Sequence, residues 1–258
     1  LTAYREAGEV LDYEALELRP FYPGAMVRER SGFVRVAHPL RRPAAAAALV
    51  AQRPGAVFDA ARMLPMAVAA MRTPIVAPGR SVGTTLDLFR RLDLTDRFVD
   101  GFARAFFGGV FLDRTLATDA SQFSFVFGNF ARGDTAVPAR GMGEIPAQIA
   151  RRAQGGELRC GAAVAGYRRS GGGFVVRLAS GAELSADAVV IATDMTSAHA
   201  LDARVPEGHW QETTTFHYAC DRTDLPGPMH EGVLFLDGTG DGPVNHAVCI
   251  SSVAPEYA

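Results

Sequence analysis

Between Val137 and Asp194 the chain runs through an ordered series of signals that few architectures accommodate. It reads V-P-A-R-G-M-G-E-I-P-A-Q-I-A-R-R-A, then E-L-R-C-G-A-A-V-A-G-Y-R-R, F-V-V-R-L-A-S-G-A-E-L and A-D-A-V-V-I-A-T-D. Pro138, Gly141 and Gly143 punctuate a turn. The I-P-A-Q-I-A-R-R-A pattern then opens a helix, in which Pro146 is tolerated only in the first turn, where its missing N–H has no helical partner to lose. The next run predicts a short strand. Phe174 to Ala179 and Ala182 to Leu184 flank Ser180-Gly181, a hairpin signal. Ala188 to Ala192 is an unbroken apolar run rich in β-branched residues, which predicts a strand covered on both faces in a parallel sheet. Thr193-Asp194 would stand at its carboxyl end, where open α/β sheets place ligands.

Upstream, the first forty residues read as mostly extended. Leu11 to Arg19 alternates loosely, Phe21 to Gly24 (F-Y-P-G) is a turn, and Met26 to Arg30 with Gly32 to Ala37 predicts a β-hairpin around Arg30-Ser31. From Pro43 to Arg132 the pattern turns helical. Arg42-Pro43 starts an Ala-rich helix that Pro54-Gly55 stops, and Asp59 to Met71 gives a second, bent or broken at Pro65. Ser81 and Thr84-Thr85 offer caps for a third. Thr95 caps a fourth over Asp96 to Phe107, ended by Gly108-Gly109, and Asp119 caps a fifth over Ala120 to Ala131. Downstream, Thr196 to Leu201 predicts a short helix, and Thr213 to Cys220, Gly232 to Leu236 and Asn245 to Val253 predict three strands. The L-D-G-T-G-D-G run (Leu236 to Gly242) leads into a strand rather than a helix, so it reads as a hairpin turn and not as a phosphate loop.

Nine of the sixteen Phe residues fall between Phe98 and Phe130. Phe106, Phe107, Phe123 and Phe127 are the candidates for the wall of an apolar substrate cavity, and a plain helical core accounts for the same residues. Polar chemistry is sparse. The six His residues never pair at metal spacing, there is no H-E-x-x-H or C-x-x-C, and no G-x-S-x-G marks a serine hydrolase. A net charge of −2 and a pI near 6.3 give no electrostatic footprint for nucleic acid. The longest charge-free apolar stretches, Pro43 to Ala51 and Met63 to Met71, fall far short of a transmembrane helix. Cys160, Cys220 and Cys249 are odd in number and widely spaced, which predicts free buried thiols in a reducing, cytoplasmic setting.

The order of elements resembles the middle of the superfamily of FAD-dependent amine oxidases, protoporphyrinogen oxidases and phytoene desaturases. The matching residues are Pro138, Gly141, Met142, Gly143, Val164, and Asp187 through Thr193, with F-F-G-G-V-F-L-D-R (Phe106 to Arg114) upstream; Leu94 to Ala200 carries the resemblance best. Arg140 stands where many members have a first Gly of the P-x-G-G-M run. The family's opening G-x-G-x-x-G and closing G-D loop do not occur in these 258 residues, so the chain is expected to be the central part of a longer protein.

The resemblance implies a mixed α+β and α/β fold: part of a FAD/NAD(P)-binding, Rossmann-like domain joined to a substrate domain with an antiparallel sheet and a helical bundle. Residues 1–136 would be the first part of the substrate domain, 137–195 the partial FAD-binding domain and 196–258 the returning strands. It implies FAD as cofactor, with Pro138, Gly141, Met142, Gly143, Val164, Ala192, Thr193 and Asp194 as the binding positions. His217, Tyr218 and His246 are the polar aromatic candidates for the cavity floor. The implied activity is dehydrogenation of a small apolar amine, porphyrinogen or polyene. Peripheral membrane contact stays open, although no basic amphipathic anchor is visible. Two further readings stand beside this one: a cofactor-free module holding a hydrophobic ligand or partner, and a subunit whose nucleotide-binding half lies on another chain.

Overall fold

The computed structural model, which describes residues 1–39, 41–72, 83–153 and 155–258, opens on a helix, α1 (Arg5–Val10), where the sequence predicts extended chain. Arg, Glu and Ala favour that helix, and Arg5 and Glu9 pair across one of its turns at 2.9 Å. After β1 (Leu18–Pro20) the expected hairpin forms from β2 (Gly24–Glu29) and β3 (Gly32–Ala37), with Glu29 opposite Gly32.

The helical stretch follows with three corrections. After α2 (Pro43–Gln52), α3 runs without interruption over Ala56–Arg72, so Pro65 sits inside a helix that begins before Asp59. Ser81 lies outside the described residues, whereas Thr84 caps α4 (Thr85–Arg91) in a capping box: Thr84 Oγ1 accepts from Asp87 N, and the Asp87 carboxylate accepts from Thr84 N, both at 3.1 Å. Thr95 caps α5 (Asp96–Phe98), which passes through a π-helical turn (Val99–Ala103) into α6 (Arg104–Phe111). Gly108-Gly109 therefore does not end the helix; Leu112 does, in the left-handed conformation (φ 55°). Asp119 caps α7 (Ala120–Arg132) by accepting from Ser121 N at 2.8 Å, as expected. β4 (Ala136–Pro138) pairs antiparallel with β1, and α8 (Glu144–Arg152) holds Pro146 in its first turn.

The chain then enters a second compact unit, Ala153–Glu212, while Leu1–Arg152 and Thr213–Ala258 form the first. The second unit is a three-stranded antiparallel meander of β5 (Val164–Ser170), β6 (Gly173–Leu178) and β7 (Glu183–Ala186), followed by α9 (Met195–Leu201). β5 is the short strand expected from the E-L-R-C-G-A-A-V-A-G-Y-R-R run, and the residues of that run before Val164 are irregular chain. Ala188–Ala192 forms no strand either, and Val190 is 87% exposed. A strand buried on both faces needs parallel neighbours, and among the described residues this unit's sheet consists of three antiparallel strands.

Back in the first unit, Thr213–Cys220 is exposed and strandless, because none of the sheets takes it as a member. β8 (Leu234–Asp237) instead pairs parallel with β2, placing Leu234 opposite Ala25. The strand expected over Asn245–Val253 is only β9 (His246–Ala247), after which one turn of helix, α10 (Ile250–Val253), buries Val253 and Ala254. The sheet order is β3-β2-β8-β9. Alternate residues of the central pair feed two clusters. Ala25, Val27 and Leu236 pack with Ala105 of α6, and Met26 and Phe235 pack with Val233 on the other side. The largest core is aromatic, built by Phe89, Phe107, Phe123, Val99 and Leu116. With one parallel pairing in otherwise antiparallel sheets, the described architecture is α+β. The thiols are not buried as expected: Cys160 and Cys220 are exposed and Cys249 is half-buried.

Candidate functional site

The turn ahead of α8 is pinned at both ends. Pro138 is fully buried, its carbonyl accepts from the Tyr257 hydroxyl at 2.8 Å, and Ala139 N donates to Leu16 O at 3.2 Å. Gly141 adopts φ +102°, a region closed to most side chains. Arg140 has its own role there. Its guanidinium pairs with Glu17 at 2.6 Å and donates to Ala15 O at 3.2 Å, tying the turn to the chain before β1. Among the described residues, no hydrogen bond satisfies the N–H groups of Met142 and Gly143, which stand exposed at the start of α8. Helix-opening amides of this kind suit an anionic oxygen.

Val164, Ala192, Thr193 and Asp194 belong to the second unit, whereas Pro138, Gly141, Met142 and Gly143 belong to the first. Val164 opens β5 with 43% of its surface exposed, and Val190 offers a second exposed aliphatic group. Asp194 is committed to structure: its carboxylate accepts from Ser197 N at 2.9 Å and Ser197 Oγ at 2.7 Å, capping α9. Those two hydrogen bonds hold its pKa below the usual carboxylate range. Thr193 Oγ1 donates to Asp194 O at 3.2 Å. Within the first unit, the free amides of Met142 and Gly143 are the kind of group that takes a phosphate oxygen such as a flavin carries.

Of the four phenylalanines, two lie in the core and two, Phe106 and Phe127, pack against it half-buried. Phe107 and Phe123 are 2% and 0% exposed, with ring centroids 4.7 Å apart, and both pack against Phe89. Phe127 lies 5.6 Å from Phe123, and Phe106 stacks on Phe102 at 5.5 Å. They brace α6 against α7.

The three polar aromatic residues are not brought together. His217 and Tyr218 lie in the exposed stretch before Asp221, Tyr218 being 90% exposed. His246 is half-buried on β9, where Nε2 bonds Ala105 O at 2.7 Å. Asn245 Nδ2 donates to the same carbonyl at 3.0 Å, and the Asn245 side-chain oxygen accepts from Arg114. A carbonyl can only accept, so Nε2 carries the proton and Nδ1 keeps its lone pair. Burial and the nearby Arg114 cation push the His246 pKa down, against the opposing pull of the Ala105 carbonyl. The sequence reading of Gly108-Gly109 as a helix stop missed its use: Gly109 is the seat of the His246 ring. A glycine pair inside an aromatic helix is the signal that could have pointed to it.

Among the described residues, no group of three or more His, Cys, Asp or Glu side chains could hold a metal ion, and no helix is long and apolar enough to cross a membrane. Against known proteins, the family described as flavin containing amine oxidoreductase matches the chain over residues 4–224. No curated protein matches it.

Proposed function

Because the chain belongs to the flavin-containing amine oxidoreductases, we propose that it serves an FAD-dependent dehydrogenase acting on an apolar amine, porphyrinogen or polyene. What most supports this reading is the extent of the family match: residues 4–224 run through both units and include all eight cofactor positions of the resemblance. When bound, a flavin supplies the acceptor for the hydride that leaves a C–H carbon as its C–N or C–C single bond becomes double, the second hydrogen leaving the neighbouring N or C as a proton. In the first unit, the amides of Met142 and Gly143 would be open to an anionic oxygen, with Gly141 and the Arg140–Glu17 pair holding the turn in place. Val164 would cover the adenine, and the backbone after Ala192 would approach the pyrophosphate. The Asp194 cap keeps that backbone in one conformation. None of these contacts needs an acid–base side chain, in keeping with a protein that binds and desolvates while its cofactor does the redox step.

The test is the visible absorption spectrum of the purified chain during titration with FAD. A saturable shift of the flavin bands is the expected result; a chain that is folded by circular dichroism but leaves the FAD spectrum unchanged at every concentration overturns the assignment of these residues.

A further inference from the structure

We propose that the groove between α1 and α7 is a separate binding site for a small planar anion, a single ring with a carboxylate at one end and an O–H donor at the other. The starting observation is Asn129. It lies in the Phe-rich helix α7 and is 1% exposed, and a buried amide costs free energy unless its polar atoms are satisfied. Only half of it is satisfied. Nδ2 donates to Phe125 O at 2.8 Å, which fixes the orientation of the amide, because that carbonyl can only accept. No hydrogen bond reaches Oδ1 from another described residue. Asn129 lines a groove of about 210 Å3, so this oxygen is an acceptor set in the wall of a cavity.

The rest of the lining complements it. Tyr4 and Phe125 stack with centroids 5.6 Å apart and an interplanar angle of 20°, giving a flat aromatic flank. Arg132, in the last turn of α7, has no hydrogen bond or ion pair with another described residue. Arg5 and Glu6 also line the groove, and Arg5 is already paired with Glu9. Arg132 is therefore the cation open to an incoming charge. An unpaired guanidinium selects a carboxylate, the Asn129 oxygen selects a donor, and the rings select a flat apolar body. The volume equals about seven waters at roughly 30 Å3 each, which suits one substituted ring and not a dinucleotide. None of the eight cofactor positions lines this groove, so the proposal stands or falls independently of the flavin assignment.

The experiment is calorimetric titration of the 258-residue chain with 4-hydroxybenzoate, without flavin. Saturable one-to-one binding is expected. Arg132→Gln should weaken it about tenfold or more, the loss of a hydrogen bond to a charged group. Benzoate, lacking the donor, should bind several-fold more weakly than 4-hydroxybenzoate, and 4-hydroxybenzyl alcohol, lacking the charge, should behave like the Arg132→Gln variant. These ligand changes probe Asn129 without disturbing a buried residue. No saturable binding to the folded chain, or equal affinity for the wild type and Arg132→Gln, overturns the proposal.

Discussion

The ring of His246 occupies the space that a side chain at residue 109 would fill. A Cβ on Gly109 would lie 1.5 Å from Cε1 and 2.2 Å from Nε2. In an ordinary helix, Gly→Ala gains up to about 1 kcal/mol. Here Gly109→Ala must expel the imidazole and break its 2.7 Å bond to Ala105 O. A net loss of about 2–4 kcal/mol is expected, from overpacking and the lost hydrogen bond. Gly101, with nothing within 4 Å of its would-be Cβ, is the control and should be neutral or slightly stabilised by alanine. Urea unfolding of both variants checks the opposite signs.

Asp59 links two helices through one residue. It is 6% exposed on α3, and its two oxygens accept from Thr95 N at 2.8 Å and Thr95 Oγ1 at 2.7 Å; Thr95 in turn caps α5. Asp59→Ala removes both charge-assisted hydrogen bonds to Thr95 and should cost about 1.5–3 kcal/mol. Thr95→Ala also removes the cap, and the double variant should lose less than the two single losses added together, since both share one contact. Denaturant midpoints of the three variants decide it.

Two histidines make stability fall at acid pH. Burial lowers the pKa of His246, with Arg114 acting the same way, and burial with Arg41 lowers that of His38. Both therefore bind protons more readily in the unfolded chain, so stability rises with pH and is lost as pH falls below the unfolded value of about 6.5. Between about pH 7.5 and about pH 5.5, the urea midpoint of His246→Gln should drop less than that of the wild type. Equal drops would remove His246 from this account.

Val164→Asp tests the cofactor assignment directly. Val164 is already 43% exposed at the head of β5, so the substitution should leave the fold intact. A carboxylate there would repel phosphate and desolvate poorly against adenine. Flavin retained after gel filtration of the FAD-loaded protein should fall at least several-fold, whereas unchanged retention would move the adenine elsewhere.

Local signals carried most of the helices. Thr84, Thr95 and Asp119 are caps in the structure because a short polar side chain satisfies orphan amides wherever the backbone starts to coil. The β2–β3 hairpin was legible for a similar reason, its register set by a two-residue turn. What failed was non-local. Ala188–Ala192 and Thr213–Cys220 have strand-like compositions, but a strand exists only where another edge accepts it, and no local pattern names that edge. The turn ahead of α8 was visible through Pro138 and Gly141, whereas the groove residues Asn129 and Arg132 were not. A polar residue in an apolar helix becomes informative only when its partners can be counted.

The parallel pairing of Ala25 with Leu234 joins residues more than two hundred positions apart. At roughly 5–20 residues per second, translation leaves the β2–β3 hairpin waiting on the order of ten to forty seconds for its other neighbour. Throughout that interval Met26 and Val27, later buried, sit on an open edge able to pair with any passing chain. The central strand pair makes this a slow, late-closing sheet, and its yield in the cell should respond to chaperone supply and growth temperature more than to any single contact in the finished fold.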